Sequence, residues 1–532
     1  MLVGFTAGDS LILAGLLAAA ATLLVAAQLA RIPYPIPLVL GGLALGFVPG
    51  IPQIQLDPDL VLVAVLPPLL YGTAFFTSLR ELRANARPIG LLAIGLVLTT
   101  MLAVAAVAHA AIPGLSWSSA FVLGAIVSPT DPTAATAIAQ RLGLPRRLVS
   151  LIEGESLVND GTALVAYRFA VAAVVTGSFS LANASGRFVL NVVGGIAVGL
   201  AVGVVLRQVR RRLDNPPVEL TISILSGYFA FLPAQAAGVS GVLAAVTVGI
   251  YMGWYTPELT TPQTRLQGIA MWEILFFLLN GLLFGLIGLQ LSAILDALSG
   301  RPTGTLIRYA VIVSVTVVVA RALWVFVATY LPRLLSPRLR ERDPLPSWRA
   351  KTILAWSGMR GAVSLAAALA LPLTTDAGGR FPDRELLVFL TFGVILGTLV
   401  VQGLTLPVLI RVLALEDDGL AEREEAKARI RAAEAALERL EELIDEDWVR
   451  EDTAERLRGL YGFRRERFRS RVDSEADGSV EDRSANYQRL RRELLDAERR
   501  AVLELRRAGR IDDEVMRRVV RDLDLEDARL DV

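Results

Sequence analysis

Ser128-Pro129-Thr130-Asp131-Pro132-Thr133 interrupts an otherwise apolar run, residues 116–141. Its two prolines remove two backbone donors and obstruct the turns before them, so a helix through this run must unwind. At membrane depth, unwound backbone is tolerated only where protein or a water-filled cavity surrounds it. The break frees carbonyls, Thr130's among them, and points two half-helix ends at one spot. Asp131 lies at that spot. A proline kink is common in membrane helices; a kink that carries an acid is not.

Composition supports the membrane setting. The 532 residues are 54% apolar with 44 glycines, and the mean hydropathy is +0.53. Charge is unevenly spread. Residues 1–415 hold 27 of the 53 Lys/Arg and 18 of the 52 Asp/Glu, leaving 26 and 34 for residues 416–532. The expected architecture is therefore an all-α polytopic membrane domain, 1–415, followed by a charged helical tail, 416–532, that stays in water.

A bilayer-crossing helix needs about 20 apolar residues. Breaks at charges, prolines and glycines give about thirteen segments: 9–30, 36–48, 58–79, 87–111, 116–141, 146–176, 186–211, 217–234, 239–254, 264–296, 304–333, 348–373 and 384–414. The first has no basic residue before it and reads as a span, not a cleavable leader. With thirteen spans, the loops sharing a side with the tail carry 18 Lys/Arg against five on the other side. Positive charge stays cytoplasmic, so the N-terminus is expected outside and the tail inside, in the plasma membrane.

Several chemistries drop out. Without cysteine there is no thiol nucleophile or thiolate metal site. A single histidine, His109 near the outer end of the fourth span, makes Ser-His-Asp hydrolysis and His-rich metal binding poor readings. No feature points to nucleic acid, an enzyme activity or a bound cofactor.

Charged residues deep in the spans carry the functional signal, because each is costly at the bilayer centre unless it faces protein, water or a partner. They are Arg168, Arg321 and Arg360, with Asp131, Glu155, Asp160 and Glu273. In the sixth span, Glu153-Gly-Glu155-Ser156-Leu-Val-Asn159-Asp160-Gly161 puts Ser156 and Asp160 on one helix face, and Glu155 and Asn159 on a second. Asp160 lies about 20 Å from the start of its span and Asp131 about 15 Å from the end of its own. Oxygen donors from Asp160, Ser156, Asn159 and the broken backbone at Thr130 suit a small hard cation. The twelfth span, Ser357-Gly358-Met359-Arg360-Gly361-Ala362-Val363-Ser364, has glycines on both sides of a buried arginine. That guanidinium needs helix C-terminal carbonyls or an anion, and Glu155 is the candidate partner. Arg168 and Arg321 have no assigned role beyond packing or pairing within the bundle. Broken fifth and twelfth spans occupy matching places in two halves, a pointer to a secondary transporter.

At these residues the chain resembles the monovalent cation:proton antiporters, in the branch of bacterial NhaP-type and animal NHE-type sodium/proton exchangers. The resemblance rests on Ser128-Pro-Thr-Asp131-Pro, Gly154-Glu155-Ser156-Leu-Val-Asn159-Asp160-Gly161 and Gly358-Met-Arg360-Gly-Ala-Val-Ser364. Leu66-Pro-Pro-Leu-Leu-Tyr71, Trp272-Glu273 before Leu278-Leu-Asn280, and Leu286-Ile-Gly-Leu289 support it. The resemblance implies thirteen helices with crossed broken helices in an inverted repeat, and a homodimer. It makes Asp160 the carboxylate that takes cation and proton in turn. Asp131 would join through water, with Ser156 and the Thr130 carbonyl completing a Na+ site. Glu155 and Arg360 would form a structural ion pair, and Glu273 an accessory acid. Asn159 before Asp160 is the pattern of the electroneutral branch. One departure is Gly72, where bacterial relatives often carry an acid.

The implied function is electroneutral exchange of Na+, with Li+ or K+ as alternatives, for H+, serving pH homeostasis. A K+/H+ antiporter of the same fold or a cation channel are the rivals. In the tail, Ile430, Ala433, Leu437, Leu440 and Ile444 mark one helix within 423–446. Others are expected over 489–507 and after Asp512, with a loop at 472–486. The tail reads as a solvated bundle or dimer contact, or as a regulatory module whose partner is unknown.

Overall fold

The computed structural model describes residues 35–48, 61–177, 181–298, 300–343, 345–415, 419–472 and 479–528, with 22, 25, 29 and 530 singly. The chain forms two compact units, Met1–Glu416 and Asp417–Val532.

The first unit is a multi-pass membrane bundle. Its helices are α1 Pro35–Gly46, α2 Leu66–Phe76, α3 Leu79–Ala84 and α4 Ala86–Ala111. There follow α5 Trp117–Val127, α6 Thr133–Arg141, α7 Arg146–Thr176, α8 Leu181–Arg210 and α9 Pro216–Ala236. Then come α10 Gly241–Leu259, α11 Pro262–Ala297, α12 Thr303–Leu335, α13 Pro337–Arg342, α14 Trp348–Trp356 and α15 Ala362–Leu369. The last is α16 Arg384–Leu413. Among the described residues, seven helices are long and apolar enough to cross a bilayer, and α1, α5 and the segment Val63–Phe76 are shorter apolar helices. The expected span 9–30 lies outside the described residues, apart from 22, 25 and 29. The other twelve expected segments each contain a helix or, for 116–141 and 348–373, a pair of half-helices.

Helix starts follow local chemistry. Ser116, Ser240 and Ser347 each accept a hydrogen bond from the backbone N–H three residues on, at 3.1, 3.2 and 3.1 Å. Each satisfies a donor that the first helical turn leaves free. Ser78 does the same for α3 at 3.4 Å, so part of the stretch between the expected segments 58–79 and 87–111 is helical. Burial then sorts the helices. Of its most apolar window, α16 buries 72%, whereas α8 and α11 bury 22%. α16 is therefore central, and α8 and α11 offer broad faces to lipid.

Helix α2 is held against α9 and α10 by close backbone approach. A Cβ built at Gly227 would lie 2.5 Å from the Pro67 carbonyl oxygen. At Gly249 it would lie 2.5 Å from that of Tyr71, and at Gly253 2.2 Å from that of Phe75. Gly249 and Gly253 are one turn apart, the small-residue spacing by which membrane helices pack without a hydrophobic driving force.

The tail unit contains α17 Leu420–Leu443, α18 Glu451–Val472, α19 Ser479–Arg507 and α20 Asp513–Ala528. The expected loop at 472–486 is corrected: 479–486 are the first turns of α19, and 473–478 lie outside the described residues. Helix α18 was not anticipated, because its apolar residues form no long stripe. It pairs with α17 through buried Ala426, Ala433, Ala454 and Phe468 and a two-pronged Arg458–Glu441 contact at 2.9 and 3.0 Å. In α20, the Asp512 carboxylate caps the first turn at Val515 N, 2.7 Å away.

Gly253→Ala is expected to lower the thermal unfolding midpoint of the detergent-purified protein, at a cost of about 1–3 kcal/mol for overpacking. Gly90→Ala, where a Cβ meets nothing within 4 Å, should leave the midpoint unchanged or raise it.

Candidate functional site

The two interrupted spans cross at their breaks. Helix α5 stops at Val127 and α6 starts at Thr133, while α14 stops at Trp356 and α15 starts at Ala362. Between them the Asp131 backbone N–H donates to the Met359 carbonyl at 2.8 Å, joining one non-helical segment to the other. The approach is so close that a Cβ on Gly361 would sit 1.8 Å from Asp131 Oδ2. Asp131 Oδ1 accepts from Thr133 N at 2.9 Å, so this carboxylate caps α6. An anion there also complements the positive end of the helix dipole.

The C-terminal ends of the half-helices present carbonyls that no intrahelical donor can satisfy. Buried arginines meet both. Arg360 donates from Nε to Val127 O at 3.0 Å, at the end of α5, and from Nη1 to Gly358 O. Arg321, from α12, donates from Nε and Nη2 to Leu354 O at 3.2 and 2.9 Å, near the end of α14. Arg384 similarly binds Leu369 and Leu371 carbonyls, each at 3.0 Å, at the end of α15.

The expected Glu155–Arg360 pair is corrected. Glu155 pairs with Arg321, whose Nη1 meets Oε1 and whose Nη2 meets Oε2 at 3.0 Å. Both side chains are only 1% exposed. With both Glu155 oxygens engaged by a forked guanidinium, Arg360 takes the other partner the sequence allowed, the carbonyls of a helix end. Gly358 makes the arrangement possible, because a Cβ there would lie 2.2 Å from Arg321 Cδ. Arg321 stands in an apolar span with no motif around it, so local sequence gave no direction to its pairing. The available signal was arithmetical: a deep arginine needs an acid, and few deep acids exist. Arg168 is exposed.

Thr130 is the hub of the polar network. Its carbonyl accepts from Ser156 Oγ at 2.8 Å. Its hydroxyl donates to Glu155 Oε1 at 3.2 Å and accepts from Asn159 Nδ2 at 2.8 Å. Glu155 and Asn159, on the second face of α7, thus grip the broken backbone. Ser156 and Asp160, on the first, turn toward a cavity of about 610 Å³. Thr130, Asp131, Ser156, Asp160 and Glu273 all line it. Asn159 does not, so its expected place among the cation ligands is corrected to one behind Thr130, where its Nδ2 is spent on that hydroxyl and its Oδ1 has no hydrogen-bond partner among the described residues.

Residues not anticipated for the site also line it: Asn280, and Ser364, whose Oγ has no hydrogen-bond partner among the described residues. Both stand in the strings quoted above, but only the fold shows that they face this cavity. Gly72 has no room for an acid, since its Cβ would meet Phe276 and Trp272 at 2.5 and 2.7 Å. Asp160 is 8% exposed, and no hydrogen bond or ion pair reaches it from the described residues. The site thus gathers carboxylate, hydroxyl, amide and backbone oxygens, the donor set of a hard cation.

The family model described as "Sodium/hydrogen exchanger, transmembrane" matches residues 15–412. The chain belongs to the sodium/hydrogen exchanger family. Among this family, an uncharacterized Na(+)/H(+) exchanger of Mycobacterium tuberculosis is 38% identical over 94% of this chain and 92% of its own length. The Na(+)/H(+) antiporter ApNhaP of Aphanothece halophytica is 33% identical over 91% and 89%. The sodium proton antiporter MjNhaP1 from Methanocaldococcus jannaschii shares the fold, with a TM-score of 0.61 at 20% identity, covering 76% of this chain and 99% of that one. The all-α fold with broken helices is therefore that of the family the sequence resembled.

Removing one member of a buried ion pair leaves an uncompensated charge, at a cost of about 3–5 kcal/mol. Glu155→Gln and Arg321→Met should each reduce the yield of folded protein on size-exclusion chromatography. The double variant should recover much of it, whereas Glu155→Gln with Arg360→Met should not. Recovery in the second combination instead would return Glu155 to Arg360.

Proposed function

We propose that this exchanger is a secondary active transporter that swaps Na+ for H+ by alternating access, one for one and without net charge movement. The observation that carries the reading is Asp160, a buried carboxylate with no bonded partner among the described residues, at the inner end of an oxygen-lined cavity. Desolvation favours the neutral form of any carboxyl group, and a bound cation favours the charged one. Proton and cation therefore compete for one group, and the empty charged site is the least stable state. If only a loaded site can reorient, exchange follows.

In this reading the transported Na+ takes oxygens from Asp160, Asp131, Ser156 and Thr130, with Ser364 and Asn280 within the same cavity. Asn159 carries no charge beside Asp160, so one titrating carboxylate handles one cation or one proton, and the cycle is electroneutral. Transport needs no covalent chemistry and no bound cofactor. We place the protein in the plasma membrane as a homodimer, with its N-terminus outside and its tail in the cytoplasm, on the 18-to-five loop asymmetry in basic residues. Its role is pH homeostasis.

A broader ion range is a second reading. A Bacillus pumilus relative named "Sodium, potassium, lithium and rubidium/H(+) antiporter" is 36% identical over 70% of this chain and 57% of its own length. Wide selectivity also fits a chain in which Gly72, packed against Phe276 and Trp272, supplies no acid.

The test uses proteoliposomes with a pH dye inside, an imposed proton gradient, and added NaCl, LiCl or KCl. Cation-driven dissipation that is indifferent to a voltage clamp is expected, and Asp160→Asn should abolish it. Activity at wild-type rate in that variant would remove Asp160 from the mechanism. Competition predicts in addition that the apparent KM for the cation rises as pH falls, up to about tenfold per unit in the range where Asp160 titrates.

A further inference from the structure

The cavity runs from a buried end to an exposed one. Asp160, Ser156, Thr130 and Asn280 are buried, Thr77, Thr136 and Glu153 are half-buried, and Gln140 and Glu273 are exposed, all of them lining it. Glu153 and Asp160 stand seven residues apart on α7, which places them on one helix face, two turns and about 10 Å apart. The approach to Asp160 therefore passes Glu153.

Hydroxyl groups along this approach are oriented by their own helices. Thr73 Oγ1 donates to Leu69 O at 2.9 Å, Thr77 Oγ1 to Thr73 O at 2.7 Å, and Thr136 Oγ1 to Pro132 O at 2.9 Å. A hydroxyl has one proton and two lone pairs. With each proton committed to a helix carbonyl, these threonines keep only lone pairs for other partners, so they can ligate a cation and cannot donate to an anion.

Glu153 adds charge to this wall. It has no ion-pair partner among the described residues. Glu81, the carboxylate near enough to act on it electrostatically, is already held by Arg146 at 2.5 Å and by the Ser150 hydroxyl. The Glu153 carboxylate thus has no counter-cation among the described residues and is open to one that enters the cavity.

We propose that Glu153 is an outer station of the transport path, a half-buried carboxylate between the cavity's exposed end and its buried one that gathers the cation and passes it to Asp160. The proposal rests on the exchange function above. A charged group in a low-dielectric cleft raises the local concentration of counter-ions. It therefore acts on capture and not on the exchange step at Asp160. Glu153 is a positioning residue for the ion, distinct from the carboxylate that binds cation and proton in turn.

The experiment measures Na+-driven proton flux in proteoliposomes for wild type, Glu153→Gln and Glu153→Asp at low ionic strength, and again with about 1 M choline chloride, where the Debye length falls to about 3 Å. Glu153→Gln should raise the apparent KM for Na+ about three- to tenfold while kcat stays within about twofold. Glu153→Asp should keep KM near the wild-type value, and the choline salt should narrow the gap between Gln and wild type. An unchanged KM in Glu153→Gln overturns the outer station, as does a loss of kcat at unchanged KM in folded protein. A wild type that shows no cation-driven flux would instead overturn the exchange reading itself.

Discussion

A helix that stops inside a membrane leaves carbonyls without donors, and every feature of the core follows from how these are satisfied. Water is not available to do it at the bilayer centre. Here guanidinium groups do it from within: Arg360 at the end of α5 and Arg321 near the end of α14. Cations at helix C-termini also oppose the negative end of the dipole. Once two arginines are buried for this purpose, an anion must balance them, and Glu155 does so through Arg321. The ion pair therefore serves the break. Replacing the pair with apolar side chains would spare desolvation but would leave the Leu354 carbonyl with the Ser357 hydroxyl alone, at 2.9 Å.

The same logic explains why Glu155 and the proposed transport carboxylate, Asp160, lie five residues or about 1.4 turns apart on α7 without sharing a role. Glu155 faces the crossing and has both oxygens committed. Asp160 faces the cavity and has neither committed among the described residues. The rotation of about 100° per residue along a helix separates them more effectively than distance would. Thr130 stands between the two faces, its hydroxyl bonded to the structural side and its carbonyl to Ser156.

Much of this was legible in the sequence. Pro129 and Pro132 dictate an interruption, and Gly358 and Gly361 a second, because those residue types constrain the backbone whatever surrounds them. Ser156 and Asp160 share a face because helical geometry requires it. What the sequence could not supply was partner choice across 166 residues, the separation of Arg321 from Glu155. Burial makes a partner compulsory, but two arginines were eligible for one acid, and steric room at Gly358 decided between them. Asn159 was misplaced for a related reason: an amide beside a carboxylate suits either a ligand or a strut, and the location of Thr130 made it a strut. In the tail, α18 escaped notice because its buried contacts are single residues, Ala454 and Phe468, set in a highly charged helix.

The Ser156 hydroxyl bears on how the site registers occupancy. Its proton points at the Thr130 carbonyl, 2.8 Å away, so two of the oxygens offered to an arriving ion are engaged with each other beforehand. An ion that uses the Thr130 carbonyl must share or displace this bond. Affinity is then a difference between two satisfied arrangements, not a gain over an empty one. In the proposed exchange, breaking this bond would lower the net gain of binding, and a lower gain eases release on the far side of what was collected on the near one.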